Sequence, residues 1–200
     1  MEEFPKPKRE LSKEEVQDAQ IGLLEWELEE RDRHHGIEPL TGAKRREVLM
    51  QALDQALKGI HKEGGKRRRE GVSLVFIDLD KFKQVNDTRG HAVGDGVLKR
   101  VAELLKGSVR GTDLVARYGG DEFAVLLPDT SEEQAMTIGE KLRAALDDDA
   151  ELKGFGVTAS VGVCSSETST AIDSENFIKH ADEAAYVSKR AGGNRVEVYT

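Results

Sequence analysis

An apolar run at residues 72–79 contains Asp78 and is followed at once by Asp80. A short run of this kind, rich in β-branched and aromatic residues, predicts a buried strand. Two carboxylates at the end of such a strand lose hydration unless something neutralises them, and a divalent cation would do so. The alternative is that the strand has ended and both carboxylates face water.

Length, charge and cysteine content limit the class of protein. The 200 residues suffice for one domain with an appendage, and no apolar run approaches the ~18 residues that a membrane span needs. Lys and Arg number 30 against 38 Asp and Glu, and the net charge of −8 disfavours generic binding to nucleic acid or anionic lipid. Cys164 is the single cysteine, which excludes an internal disulfide and argues against a zinc site. We therefore expect a protein of the reducing cytoplasm.

The N-terminal segment differs from the rest of the chain. Residues 1–10 are charged and hold two of the four prolines, which predicts a disordered leader. Ser12 and Glu15 form a capping-box pattern, and apolar residues then recur at helical spacing as far as Arg33. This helix, assigned to residues 11–36, either packs on the following domain or pairs with a second copy as a stalk. Residues 37–200 are predicted to form the main domain, which would carry the catalytic site if the protein is an enzyme.

Helix and strand patterns alternate through that body. The predicted strands are 72–79, 114–118, 123–127, 155–163 and 196–199, and the predicted helices are 43–60, 81–85, 97–105, 131–146 and 174–190. The second and third strands form a hairpin across Gly119 and Gly120. We therefore expect an α+β fold with a central, mostly antiparallel five-stranded sheet wrapped by helices and preceded by the N-terminal helix.

The hairpin tip carries Gly119, Gly120, Asp121 and Glu122. The glycines allow a backbone to approach a ligand closely, and two acids follow them. Neighbouring strand residues point to opposite faces, so one of the two acids can share a site with Asp78 unless the turn distorts the pleat. Ordinary hairpin chemistry is the alternative explanation.

A third group of polar residues follows the strand that ends at Asp80: Lys83, Asn86, His91 and Asp95. Helix N-termini and a lysine there would face phosphate oxygens. Asn and Asp supply the donors and acceptors that a guanine edge requires, whereas a histidine in such a loop is often a structural hydrogen-bonding group.

The segments FIDLDKFKQVND, GHAVGD, RYGGDEF and ADEAAYVSKRAGGNR occur in that order, and together they resemble the GGDEF diguanylate cyclase family from Glu38 to Tyr199. The resemblance implies a fold related to nucleotidyl cyclases and polymerase palms. It also implies condensation of two GTP into cyclic di-GMP with release of pyrophosphate. Because one such domain holds one GTP, the resemblance implies a homodimer.

The same resemblance implies roles for individual residues. Asp78 and the Leu79 carbonyl would hold magnesium with an acid of the hairpin, in a site for two Mg²⁺ that Mn²⁺ could also fill. Asp121 would be the base and Glu122 a further metal ligand, with the division between them open. Lys83 would stabilise the transition state at the α-phosphate. The remaining implied substrate-binding residues are Asn86 and Asp95 at the guanine, His91, Lys189 at the triphosphate, Lys81, Phe82, Gly119 and Gly120.

Arg110 and Asp113 match the family's RxxD site for product inhibition, with a helix-end Arg and a strand-start Asp as the alternative. Two departures from the family pattern stand out. Gly193 replaces a common phosphate-binding arginine, for which Arg190 or Arg195 would have to substitute, and EPLTGAKRRE differs from the family's D-x-L-T-G-L-x-N-R-R. These departures motivate a second hypothesis, a noncatalytic module that binds GTP or cyclic di-GMP or serves as a dimerisation scaffold.

Overall fold

The structure is a computed structural model that describes residues 36–60, 71–169 and 173–200. The predicted leader and the predicted N-terminal helix, with its stalk role, lie outside the described residues.

A six-stranded mixed sheet forms the centre of the fold, with strand order β1-β3-β4-β2-β5-β6. The strands are β1 (Lys44–Arg45), β2 (Val72–Asp80), β3 (Leu114–Gly119), β4 (Glu122–Pro128), β5 (Thr158–Ser165) and β6 (Arg195–Val198). The apolar run is β2, which pairs antiparallel with both β4 and β5. The predicted buried strand is therefore an interior strand of the sheet.

The expectation of five mostly antiparallel strands needs two corrections. A sixth strand, β1, pairs parallel with β3, and β6 pairs parallel with β5. β1 has two residues, which is too short for an alternating pattern to show. β6 is parallel because a helix crosses between β5 and β6 and returns the chain to the same end of the sheet.

The helices are α1 (Arg46–Ile60), α2 (Phe82–Arg89), α3 (His91–Ser108), α4 (Glu132–Asp148), α5 (Ala150–Phe155) and α6 (Ser174–Arg190). The predicted bounds of α6 agree with the structure. Phe155 ends a helix instead of starting β5, and α2 starts at Phe82 because Lys81 has left-handed backbone angles, with φ of 63°. Ser131 and Gln134 form a capping box at the start of α4.

Alternate residues of β2 enter two separate cores. Val75, Ile77 and Leu79 pack in a cluster that includes apolar residues of α3 and α4. Leu74 and Phe76 pack in a second cluster with residues of α1 and α6. Helices therefore cover both faces of β2, which holds its C-terminal end in a fixed position for the polar groups that follow.

Candidate active site

The site begins where the end of β2 meets the tip of the β3–β4 hairpin. Asp78 lies directly opposite Glu122 in the β2–β4 ladder, and the backbone N–H of Leu79 donates to the Asp121 carbonyl at 3.3 Å. Directly opposite residues of an antiparallel pair project from the same face. The register therefore places the Asp78 and Glu122 carboxylates side by side.

The tip of the β3–β4 hairpin is irregular, and side chains of Arg117 and Glu122 lie close to its two glycines. The β3–β4 register shifts between Arg117 and Gly119, and a Cβ on Gly119 would lie 3.2 Å from Glu122 Oε2. Arg117 donates to the Gly120 carbonyl from Nε at 3.1 Å and from Nη2 at 2.8 Å. Arg117 thus fastens the turn that precedes the two acids, a role that the sequence analysis missed.

Lys189 at the end of α6 neutralises part of this acidic site. Its Nζ donates to both Asp78 oxygens, at 2.8 and 2.7 Å. Burial alone would lower the pKa of Lys189, but the hydrogen bond and charge of Asp78 raise it. Burial, together with the charges of Asp121 and Asp80, raises the pKa of Asp78 by more than Lys189 lowers it. The cation therefore offsets only part of the cost of holding a carboxylate at this position.

The pKa of the Glu122 carboxyl is raised by burial and by nearby acids. Burial is the largest cause, followed by the charges of Asp78, Asp182 and Asp121, whereas the charge of Lys189 lowers the pKa. Asp182 is a residue that the sequence analysis missed. It lies seven positions before Lys189 on α6, so the two share a helix face, and this spacing was the signal that could have found it.

A cleft of about 360 Å³ lies next to the acidic site. Its lining brings together most of the predicted nucleotide-binding groups, namely Phe82, Lys83, Asn86, His91, Asp95, Gly120 and Asp121, with Leu98 and Arg117 completing it. Asp121 therefore faces this cleft, while Glu122 lies opposite Asp78. The two adjacent acids serve neighbouring parts of one site, as strand geometry requires.

Asp80 differs from Asp78 although both end the same strand. It is 7% exposed, and its carboxylate accepts from Thr158 Oγ1 at 2.8 Å, Ser160 Oγ at 2.7 Å and the Asn194 N–H at 3.0 Å. All of these groups come from β5 or from the turn before β6. Asp80 therefore joins the end of β2 to its neighbours, and neither of the two sequence interpretations, metal ligand or water-facing residue, describes it.

Gly193 belongs to the same cluster. Its φ is 74°, and a Cβ built on it would lie 2.7 to 2.9 Å from the Asp80 carboxylate. An arginine cannot occupy this position without displacing Asp80. The two candidate replacements have other contacts: Arg195 pairs with Glu197 at 2.9 Å, and the Arg190 guanidinium lies 5.9 Å from the Tyr186 ring centroid.

The two RxxD residues lie in the loop between α3 and β3. The Arg110 N–H donates to Asp113 Oδ2 at 2.8 Å, and the Asp113 N–H donates to the Arg110 carbonyl at 3.0 Å. The Arg110 side chain is exposed. Asp113 therefore shapes the loop that presents Arg110 to solvent.

The N-terminal turn, Glu38–Gly42, also reaches the hairpin. The Glu38 carboxylate accepts from the Thr41 N–H at 2.9 Å, from Thr41 Oγ1 at 2.6 Å and from Arg117 Nη1 at 3.2 Å. Since Arg117 also holds the Gly120 carbonyl, two side chains connect this turn to the tip of the hairpin. Glu38 begins EPLTGAKRRE, the segment that differs from the family's pattern, and its position in the sequence does not indicate this contact.

The donor chemistry of the site fits a divalent cation. Among the described residues no three His, Cys, Asp or Glu side chains are arranged to hold an ion. Magnesium in nucleotide sites, however, is bound by one or two carboxylates together with phosphate oxygens and water. Asp78 and Glu122 form such a pair, and a cation between them would offset the burial that raises the pKa of each and the Asp78 charge that further raises the pKa of Glu122.

No helix in the described part of the chain is both long enough and apolar enough to cross a bilayer.

Comparison with known proteins identifies relatives of this fold and site. Residues 36–195 match the family described as "Diguanylate cyclase, GGDEF domain". Diguanylate cyclase DgcP of Pseudomonas aeruginosa is 39% identical over 174 residues, which are 86% of this chain and 25% of that protein. Diguanylate cyclase A of Treponema denticola is 39% identical over 160 residues, 78% of this chain and 42% of that protein.

Solved structures show the same similarity. The coiled coil and GGDEF domain of DgcB from Caulobacter crescentus, in complex with c-di-GMP, matches with a TM-score of 0.71 at 29% identity over 92% of this chain and 95% of that one. The GGDEF domain of PA1120 from Pseudomonas aeruginosa has a TM-score of 0.71 at 32% identity, over 80% of this chain and 98% of that one. This chain spans less than half the length of the two curated relatives above. Its matched residues, fold and site geometry place the chain in the GGDEF-domain family of diguanylate cyclases.

Proposed function

We propose that this chain condenses two GTP molecules into cyclic di-GMP and releases two pyrophosphates. The observation that carries the proposal is the cleft in which Lys83, Asn86 and Asp95 share one lining with Asp121, next to the paired carboxylates of Asp78 and Glu122. These groups form a base-recognition end and an acidic end within one site, which phosphoryl transfer between nucleotides requires.

The base-recognition end consists of Asn86 on α2 and Asp95 on α3. A carboxylate accepts hydrogen bonds from the N1–H and N2–H₂ donors of guanine, whereas adenine presents an acceptor at N1. The Asn86 carboxamide can donate and accept at the same edge. This arrangement favours GTP over ATP, because an adenine would leave the Asp95 carboxylate unpaired.

At the acidic end, Asp78 and Glu122 with the Leu79 carbonyl would hold Mg²⁺. When bound, magnesium neutralises phosphate charge and lowers the pKa of a bound hydroxyl. Asp121 lines the nucleotide cleft, so we assign to it acceptance of the proton from the attacking 3′-hydroxyl. Lys83 lines the same cleft and offers its ammonium group to the negative charge that develops at the α-phosphate.

Lys189 has two partners in this scheme. Without nucleotide it neutralises Asp78, and with nucleotide its Nζ offers positive charge to the triphosphate. Gly193 leaves Lys189 without the arginine that commonly assists it in the family. We therefore assign most of the protein's charge compensation at the β- and γ-phosphates to Lys189.

The direct test is to incubate the purified chain at high concentration with GTP and magnesium and to separate the nucleotides by chromatography with mass detection. Cyclic di-GMP and pyrophosphate together support the proposal. The Asp78→Asn variant is the control and should form no product. A chain that binds GTP without turnover would overturn the proposal and favour a nucleotide receptor. Gly193, in place of the family's phosphate-binding arginine, would then help to explain the loss of activity.

A further inference from the structure

Gly94 lies in α3 directly beneath the side chain of Asn86. A Cβ built on Gly94 would overlap Asn86 Oδ1, would lie 3.0 Å from Asn86 Cγ, and would lie 3.3 Å from Phe82 Cζ. Gly94 is buried, and its φ is not in the positive range, so backbone conformation does not require glycine here. The requirement comes from the Asn86 carboxamide, which occupies the space of the missing side chain.

The backbone explains why these two residues meet. Gly90 ends α2 and starts α3, with φ of 84°. Its N–H donates to the Asn86 carbonyl at 2.9 Å, and its carbonyl accepts from the Gly94 N–H at 3.3 Å. Asn86 and Gly94 are thus each four residues from one tight turn, and the two helices fold back on each other at this pair.

The pair also sets the geometry of the cleft. Asn86 and Phe82 on α2, and Asp95 on α3, all line it, and Asp95 is the residue after Gly94. The distance between the Asn86 carboxamide and the Asp95 carboxylate therefore depends on how closely the two helices approach at Gly94. A methyl group there would push the carboxamide into the cleft or separate the helices.

We propose that Gly94 is a positioning residue for nucleotide selection: by leaving room for the Asn86 carboxamide against α3, it fixes the spacing of the two groups that read the guanine edge. This inference rests on the proposed function, because it takes Asn86 and Asp95 as the base-recognition groups. Gly94 itself does not line the cleft and acts through Asn86.

The test uses four variants and direct binding. Gly94→Ala, Asn86→Ala and the double variant are compared with Gly96→Ala, a control in the same helix where an added Cβ meets nothing within 4 Å. Affinities for a non-hydrolysable GTP analogue and its ATP counterpart are measured by calorimetry, and folding is checked by circular dichroism. We expect Gly94→Ala to weaken binding of the GTP analogue by about ten-fold or more and to change binding of the ATP analogue little. We expect Gly96→Ala to change neither affinity.

The double variant separates positioning from packing. If Gly94 acts through Asn86, adding Gly94→Ala to Asn86→Ala produces no further loss of affinity, because the displaced carboxamide is already gone. Equal losses in the two backgrounds would overturn the inference. If Gly94→Ala alone fails to fold, recovery of folding in the double variant supports the contact, and failure of both variants to fold overturns it.

The outcomes also distinguish this inference from the proposed function. A wild-type chain that binds no GTP analogue overturns the proposed function and the inference together. A wild-type chain that binds it, with a Gly94→Ala variant of equal affinity and selectivity, overturns the inference alone.

Discussion

Asp78 and Asp80 show how environment separates two identical side chains on one strand. Asp80 is buried and receives three hydrogen bonds, while Asp78 lies opposite a second carboxylate and pairs with Lys189. The difference arises from the strand's two neighbours, because Asp80 meets the hydroxyl-bearing start of β5 and Asp78 meets Glu122 on β4. One carboxylate is therefore saturated by protein donors, and the other remains open to a ligand.

Because the Asp80 carboxylate is fully hydrogen-bonded, we predict that Gly193 cannot be replaced without loss of stability. Gly193→Ala should lower stability in two ways: alanine at a positive φ costs about 1 kcal/mol, and displacing Asp80 from its donors costs about 1 to 3 kcal/mol more. Gly192→Ala is the matched control, since its φ of 113° imposes backbone strain but nothing lies within 4 Å of an added Cβ. Each kcal/mol lowers the melting temperature by about 2 to 4 °C in a domain of this size.

Thermal melts of the two variants measure the difference. We expect Gly193→Ala to melt several degrees below Gly192→Ala. Equal melting temperatures would contradict the contact with Asp80. By the same reasoning Gly193→Arg, which restores the residue common in the family, should reduce activity instead of raising it.

We propose that Arg110 and Asp113 form a site for product inhibition, so loss of the Arg110 side chain should remove feedback without removing catalysis. This exposed side chain can stack on or donate to a guanine of bound product, and it does not line the nucleotide cleft. Arg110→Ala should therefore keep the wild-type initial rate while added cyclic di-GMP no longer inhibits it. Lys99→Ala removes an exposed positive charge on α3, outside the loop that holds Arg110, and serves as control, with inhibition intact. Inhibition that persists in Arg110→Ala would refute the proposed RxxD site.

The N-terminal turn and the hairpin are joined through Glu38 and Arg117. Burial alone would raise the pKa of Glu38, but hydrogen bonds from Thr41 and Leu40 and the charge of Arg117 lower it below 4.5. A carboxylate with a lowered pKa contributes stability that is complete above its ordinary pKa and is lost as the pH falls through its folded-state value. The contribution of Glu38 should therefore be present at neutral pH and absent in acid.

Denaturant unfolding of Glu38→Gln tests this link. At pH 7 the variant should be less stable than wild type by about 1 to 3 kcal/mol, since a charge-assisted network is weakened. The gap should close at a second, acid pH at which the Glu38 carboxyl of the folded protein is protonated. Glu47→Gln is the control, because Glu47 is exposed and lies at the start of α1 in the same region. A gap that is equal at both pH values would contradict the role of the Glu38 charge.

Sequence patterns predicted the long elements well and the short or three-dimensional features poorly. α6 and the hairpin follow from periodicity and turn residues, because each is long enough to repeat its pattern. β1 has two residues and no pattern of its own. Lys189 contacts Asp78, and Gly94 contacts Asn86, only because the chain folds back on itself. The spacing of these residues in the sequence does not reveal either contact. Motif spacing therefore indicated which residues share a site, but not which of them touch.

The proposed reaction requires more than one copy of the chain. Cyclic di-GMP contains two phosphodiester bonds, and each forms when the 3′-hydroxyl of one nucleotide attacks the α-phosphate of the other and a pyrophosphate leaves. Since we assign one nucleotide to the cleft of each chain, two chains must present their nucleotides to each other. A homodimer is therefore part of the proposed mechanism, and the rate per chain should rise with chain concentration.

A mixing experiment tests this requirement directly. A small amount of wild-type chain is combined with a ten-fold excess of Asp78→Asn. If the copies pair at random, about one wild-type chain in eleven then has a wild-type partner, and the others have an Asp78→Asn partner. Cyclic di-GMP production should fall accordingly, and a linear dinucleotide should accumulate, because a mixed pair retains one intact site and forms one of the two bonds. Adding the same excess of Lys99→Ala, whose site is complete, should raise production instead. If the Asp78→Asn excess leaves the wild-type rate unchanged, catalysis does not depend on paired chains. In a reaction that forms one bond at each chain of a pair, an inactive partner must lower the yield of the cyclic product.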